Sequence, residues 1–180
     1  MRFFGYAVFL AVPLMLPIST RVGAAQNLPA CNEQAMTRQG NEITIGLNQL
    51  GNIFNKDLRE AHSNFTELHL AAGGGKLKVS GKNNGKPVEI SGPLQVASGG
   101  ALKLHADEIL QNGTPEKGLM DLTGKTLADY AHFKDTQILS ARGNDLYIHP
   151  DPLLNLSADV TGVSLTNSSV ILRFASQPCR

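Results

Sequence analysis

The chain predicts an α+β domain: a curved, mostly antiparallel meander of about eight strands packed on two amphipathic helices. Three observations carry this. First, Lys86 to Ile109 alternates apolar and polar residues with period 2, the pattern of strands with one greasy face. Second, tight-turn signals at Asn84-Gly85 and Ser98-Gly99-Gly100 join runs whose apolar parities agree. Third, two stretches carry apolar residues at helical spacing. There is no alternation of strands with helices of the parallel-sheet kind, no internal repeat and no low-complexity tract.

The elements follow in order. Residues 1–25 read as a cleaved secretory signal. Arg2 is a short basic start, Phe3 to Ile18 is uncharged and apolar, and Val22-Gly23-Ala24-Ala25 offers small residues for cleavage. An uncleaved anchor is the alternative, but the apolar run is shorter than the ~20 residues that span a membrane. Residues 26–41 lack periodicity and read as a flexible leader. One domain is expected over 42–175, with a short tail at 176–180.

Ile43, Ile45 and Leu47 alternate as a strand, and Asn48 is placed to cap the helix after it. Leu50, Ile53, Phe54, Leu58 and Ala61 form that helix's apolar stripe. Strands are expected at Phe65 to Ala71 and Lys76 to Gly81, joined through Gly73-Gly74-Gly75. A type I′ turn at Asn84-Gly85 sets Val79 opposite Ile90. A three-residue loop at 98–100 sets Val96 opposite Leu102, and the apolar faces then merge. Thr114-Pro115-Glu116 reads as a helix start. Leu119, Met120, Thr123, Leu127 and Ala131 or Tyr130 give its stripe, with Gly124 able to split it. Gly143-Asn144 turns into a strand carrying Leu146 and Ile148, and Asp151 to Leu156 is a proline-started helical turn. The last hairpin turns at Asn167-Ser168, pairing Leu165 with Val170 and Val163 with Leu172.

Bulk charge does not favour a polyanion-binding role. The full chain has 16 Lys and Arg against 15 Asp and Glu. Loss of Arg2 and Arg21 with the signal leaves 14 against 15, a net charge of −1. Nothing here steers nucleic acid or an acidic surface. The only cysteines are Cys31 and Cys179. In an oxidising compartment a bridge between them is one outcome, worth up to about 5 kcal/mol for so long a loop. Two free or separately capped thiols are the other. Four N-x-S/T triplets begin at Asn64, Asn112, Asn155 and Asn167. They matter only where the host glycosylates exported proteins.

Catalytic and metal patterns are missing. His62, His69, His105, His132 and His149 have no partner at metal-ligand spacing. Gly118 with Gly124-Lys125-Thr126 mimics a phosphate loop, but the glycine spacing is one too long and no strand precedes it. There is no Trp, and three of the seven Phe and one of the three Tyr lie in the signal. An aromatic platform for sugars or single-stranded nucleic acid is therefore poorly supplied.

Several runs taken together resemble a known family. They are Lys86-Pro87-Val88-Glu89-Ile90-Ser91-Gly92-Pro93-Leu94, Gly100-Ala101-Leu102-Lys103-Leu104-His105-Ala106, and Gly113-Thr114-Pro115-Glu116-Lys117-Gly118-Leu119-Met120-Asp121-Leu122. Leu127-Ala128-Asp129, Gly143-Asn144-Asp145-Leu146, Asp151-Pro152-Leu153-Leu154 and the close from Val160 to Phe174 fit the same layout. The order is similar to a bacterial LmeA-related phospholipid-binding family, over about Ile43 to Phe174. The resemblance rests on hydrophobic pattern and on Gly and Pro placement. It implies an exported protein with a half-barrel like that of the tubular lipid-binding (TULIP) superfamily, in which a curved sheet wraps a helix around an apolar groove for acyl chains.

The expectation is therefore an exported, periplasmic or secreted, envelope protein that binds phospholipid or another acyl-chain lipid, with peripheral membrane contact. No enzyme activity, cofactor, metal or nucleic-acid partner is expected. Candidate groove-lining residues are Leu94, Val96, Leu102 and Leu104 on the hairpin, faced by Ile53, Phe54, Leu119, Met120 and Leu127 from the helices. Burial drives such binding, at about 0.8 kcal/mol per methylene. The alternative is a non-catalytic interaction module of the envelope with a fully packed core and a receptive sheet edge. An unrecognised hydrolase is a third reading.

Overall fold

Glycine and asparagine turns set the register of the central meander. The computed structural model describes residues 36–131, 134–154, 156 and 158–176. The expected signal, most of the leader, Cys31, Cys179, His132 and Asn155 lie outside them. The elements begin with strands β1 (Met36–Gln39) and β2 (Glu42–Gly46), helix α1 (Leu47–Glu60), and strands β3 (Phe65–Gly73), β4 (Lys76–Asn83) and β5 (Lys86–Val96). Strands β6 (Leu102–His105), β7 (Glu108–Gln111) and β8 (Thr114–Pro115) precede helices α2 (Lys117–Thr123) and α3 (Leu127–Ala131). Strands β9 (Leu139–Arg142) and β10 (Asp145–Ile148), helix α4 (Pro150–Leu154), and strands β11 (Val160–Leu165) and β12 (Ser169–Phe174) complete the order. The fold is α+β, with a curled antiparallel sheet forming a half-barrel.

The expected turns form. Asn84 and Gly85 both have positive φ, and Val79 stands opposite Ile90. Gly99 and Gly100 are also left-handed, the Ala97 N–H donates to the Ala101 carbonyl at 2.7 Å, and Val96 stands opposite Leu102. Leu165 faces Val170 and Val163 faces Leu172.

The long strand β5 forks the sheet. One edge pairs with β4 throughout 86–93. The other edge pairs with β7 over Val88–Ser91 and with β6 over Leu94–Val96. Leu94 faces Leu104 while Ser91 faces Glu108, so one extra residue is inserted at Ala106–Asp107. The Asp107 N–H donates to the Ser91 carbonyl at 2.9 Å, and the Ala106 N–H donates to the Asn144 carbonyl at 2.9 Å. Past this bulge β7 continues to β8, while β6 continues to β10 and β9. The bulge also brings Ile109 onto the buried side that Leu102, Leu104 and Ala106 already occupy.

The sheet curls until its ends approach one helix. On one side α1 packs against the edge strand β3. A bulge at Thr66–His69, with Glu67 at positive φ, takes Leu68 out of the β3 ladder. Asn55 replaces the missing partner: its Nδ2 donates to the Leu68 carbonyl and its Oδ1 accepts the Leu68 N–H, each at 2.8 Å. On the other side the segment before β9 is tied to the same helix. Lys134 Nζ donates to the Ala61 carbonyl at 2.9 Å, and the Thr136 hydroxyl bonds the Asp57 carboxylate. Phe54 and Leu58 of α1 are fully buried in the core between.

A second, four-stranded sheet has the order β1-β2-β12-β11. Strand β11 lies against β5, yet the two sheets share no ladder among the described residues. Several expectations are corrected here. Met36–Gln39 forms β1 rather than leader, because backbone pairing with β2 needs no apolar alternation. Leu47 starts the helix rather than ending the strand; its N–H is satisfied by the Ser168 carbonyl at 2.8 Å, so Asn48 is not the cap. The second expected helix is two helices. Gly124 (φ 65°) ends α2 left-handed, and Thr126 starts α3 with a reciprocal cap: its Oγ1 accepts the Asp129 N–H at 3.3 Å while its own N–H donates to Asp129 Oδ2 at 3.0 Å. Gly124-Lys125-Thr126 is thus helix punctuation.

The outer face of the meander is an ion-pair ladder. Lys76 meets Asp107 at 2.9 Å, Lys78 meets Glu89 at 2.7 Å and Lys82 meets Glu67 at 2.8 Å. The hydrogen bond from Lys76 holds the Asp107 carboxyl below its ordinary range. The hydrogen bond from Arg142 does the same for Asp135. A carboxylate whose pKa is lowered on folding stabilises the fold above its unfolded pKa and loses that contribution as pH falls through the folded value. Both carboxylates are well exposed, so screening keeps the effect small. The melting temperature of the wild type should fall below about pH 4. An Asp107→Asn/Asp135→Asn variant should fall less steeply there, by differential scanning fluorimetry, and the difference should shrink in high salt.

Candidate functional site

The apolar interior is where the sequence places function, and it is nearly full. Phe54, Leu102, Leu104, Met120 and Leu127 are all buried at 3 % exposure or less. A gap of about 20 Å³ remains between the β3–β5 meander and the β9–β10 hairpin, lined by Phe65, Leu68, Val79, Val88, Leu127 and Leu146 among others. That is room for about one water molecule. Gly81 opposite the β3 bulge helps to close it: a Cβ there would stand 2.6 Å from Leu68 Cδ2. Of the nine predicted lining residues only Leu127 borders this gap.

The other predicted residues separate into groups. Leu94 and Val96 on β5 are half-buried and packed against the core. Ile53 on α1 is half-buried as well. Leu119 is 59 % exposed on α2 and points away from the core. Helix α2 has seven residues and buries only Met120; once Gly124 breaks the chain direction, Leu127 belongs to a different helix axis and no single stripe exists. Leu122, one turn on from Leu119, is 86 % exposed, so α2 carries two protruding leucines.

Two residues outside that prediction complete the half-open part of the interior. Val163 and Leu165 on β11 pair with buried Leu172 and Val170, so they share the inner face, yet they remain half-buried. They sit on the edge strand of the smaller sheet, beside β5. Past Pro93, β5 has no partner from β4, and β11 packs against β5 without pairing with it. At the start of β11 the contact is tight: a Cβ on Gly100 would stand 3.2 Å from the Val160 nitrogen. The signal for these residues was present in the parity of the last hairpin. Its place against β5 was not, because that contact joins segments some seventy residues apart without a turn to specify it.

Strands β5 and β11 thus meet in a seam without a backbone ladder, and Leu94, Val96, Val163 and Leu165 are half-buried residues of those two strands. Such a seam separates at the cost of apolar contact alone, without unzipping a ladder. It offers no group for covalent chemistry. Among the described residues no cluster of three His, Cys, Asp or Glu is placed to hold a metal, and no helix is long and apolar enough to cross a membrane. Compared with protein-family models, curated proteins and solved structures, the chain matches none of them.

Proposed function

We propose that this is an exported lipid-binding protein of the bacterial cell envelope, and that it holds an acyl chain of a phospholipid or similar lipid at the seam between β5 and β11. The observation that carries the reading is the half-buried Leu94, Val96, Val163 and Leu165 on two strands that touch but share no ladder. A chain lying along the seam would exchange solvent for those four side chains, gaining about 0.8 kcal/mol per buried methylene. No ionic contact and no chemical step is needed. Leu119 and Leu122 supply the peripheral membrane contact in this reading, with Lys125 beside them for anionic headgroups.

A second reading is a non-catalytic interaction module of the envelope. The interior gap of about 20 Å³ favours it, because no acyl chain fits there. The two readings separate in one assay. An environment-sensitive fatty-acid reporter should brighten on binding the wild type and be displaced by phosphatidylglycerol vesicles. Leu94→Arg and Leu165→Arg should each reduce uptake at least tenfold with the fold retained, since both sites are half-open. Leu122→Ser should leave uptake of the free reporter unchanged and weaken vesicle association about tenfold, the value of one fully buried leucine. No uptake by the wild type would leave only the packed-module reading, and equal uptake by the wild type and both arginine variants would overturn the seam as the site.

A further inference from the structure

A separate concavity of about 670 Å³ lies on the solvent side of the β9–β10 hairpin, away from the apolar interior. Strand alternation builds its floor. Leu139 and Ala141 point inward, so Ser140 and Arg142 point out; Leu146 and Ile148 point inward, so Tyr147 and His149 point out. The Gly143-Asn144 turn sets Ser140 opposite Tyr147 and diagonal to His149. Ser140 Oγ and His149 Nε2 are 3.0 Å apart. Asp135 closes one side, with Arg142 Nη2 donating to it at 2.6 Å and the Ala141 N–H at 3.3 Å.

The site is held rigidly. The Leu139 N–H donates to Thr136 Oγ1 at 2.8 Å, and Thr136 is itself bonded to Asp57 on α1. Pro150 forms another part of the wall with its φ fixed by the ring. The volume lies within the range of small-ligand sites.

Its chemistry narrows the ligand. The Arg142 charge is already paired with Asp135, and another of its five N–H donors goes to the Ala141 carbonyl. An anion entering the cleft would meet Asp135 and Asp151, with no unpaired Lys or Arg among the described lining residues to offset them. A cation would meet Arg142. A neutral molecule with several hydroxyls meets carboxylate acceptors, guanidinium and tyrosine donors, and a Ser–His pair that both donates and accepts. The Tyr147 ring and Pro150 present apolar facets for the C–H face of such a molecule. We propose that this cleft binds a neutral polyhydroxylated ligand, a sugar ring, through Asp135, Ser140, Arg142, Tyr147 and His149. The composition argues against a stacked aromatic platform, and this site uses hydrogen bonds around one ring instead. It is independent of the lipid reading.

The test is a backbone NMR titration of the full mature chain with methyl glucoside, methyl galactoside, glycerol and inorganic phosphate, each alone. At least one glycoside should shift the amides of Ser140, Arg142 and Tyr147 saturably, with Kd on the order of 1 mM. Ser140→Ala and Tyr147→Ala should each weaken that binding about tenfold with unchanged melting temperature. Glycerol and phosphate should shift the same amides less. The proposal is overturned if neither glycoside moves these amides, if phosphate moves them more than either glycoside, or if both variants bind as the wild type does. Neither outcome bears on reporter uptake at the seam.

Discussion

Gly92→Ala should destabilise the protein by about 3 kcal/mol or more, the upper range for forcing an atom into a closed site. A Cβ at this position would lie 1.7 Å from the His105 carbonyl oxygen and 2.9 Å from its carbon, and both are backbone atoms. No rotamer change relieves that overlap. The bulge at Ala106–Asp107 must open, and the bond from the Asp107 N–H to the Ser91 carbonyl goes with it. The β6 and β7 registers are then no longer offset, and Ile109 loses its place among the buried residues. Urea unfolding measures the effect. Gly118→Ala is the control: it has nothing within 4 Å and sits in helix α2, so it should be neutral or stabilising by up to about 1 kcal/mol. A Gly92→Ala cost below 1 kcal/mol would mean the forked sheet is wrongly described.

Asn55→Ala should cost about 2–4 kcal/mol, because it strands two partly buried backbone groups at once. The N–H and carbonyl of Leu68 have left the β3 ladder and their partners are the two ends of the Asn55 amide. Alanine leaves both without a partner on a helix too close for water to enter freely: a Cβ on Gly51, one turn earlier, would lie 3.5 Å from the same Leu68 carbonyl. Asn55→Asp should be at least as costly, since it sets a carboxylate against that oxygen. Hydrogen exchange of the Leu68 amide gives a local reading, and it should lose most of its protection in the alanine variant. Full retention of protection, with stability unchanged within 0.5 kcal/mol, would show that another group holds the bulge.

These two positions mark where sequence reading stopped. The turn at Asn84-Gly85 and the loop at 98–100 were legible because their glycines and asparagine dictate backbone conformation locally, and parity then fixed the pairs Val79–Ile90 and Val96–Leu102. The split at Gly124 was legible for the same reason. The bulge at Gly92 was not: a glycine inside an alternating run gives no sign that a carbonyl from the next strand presses on it. Asn55 lies outside the apolar stripe that the sequence marks on that helix, and only the path of β3 gives its amide a task. Strand β1 has no pattern of its own, and its existence depends on the edge that β2 offers. The split of the strands into two sheets was invisible for a like reason, since the β5–β11 contact has no turn to announce it.

The same limit applies to the lining residues. Apolar parity picks out the inner face, but it does not tell a wall from a core. Leu104 and Leu94 share one face of the same hairpin, yet Leu104 is 0 % exposed and Leu94 is half-open. An arginine at Leu104 would report loss of the core, whereas at Leu94 it reports access to the seam. Strand β9, which carries Ser140, was not legible, and His149 read only as a histidine without a metal-ligand partner. Their pairing needed the two-residue turn at Gly143-Asn144 to be read together with both parities.

Native mass spectrometry of the protein, purified without detergent and followed by lipid extraction, tests the central claim most directly. The seam account predicts folded protein carrying one bound lipid, released as an acyl-chain species on activation and absent from Leu94→Arg and Leu165→Arg. Lipid-free wild-type protein that also takes up none from added phosphatidylglycerol would contradict it.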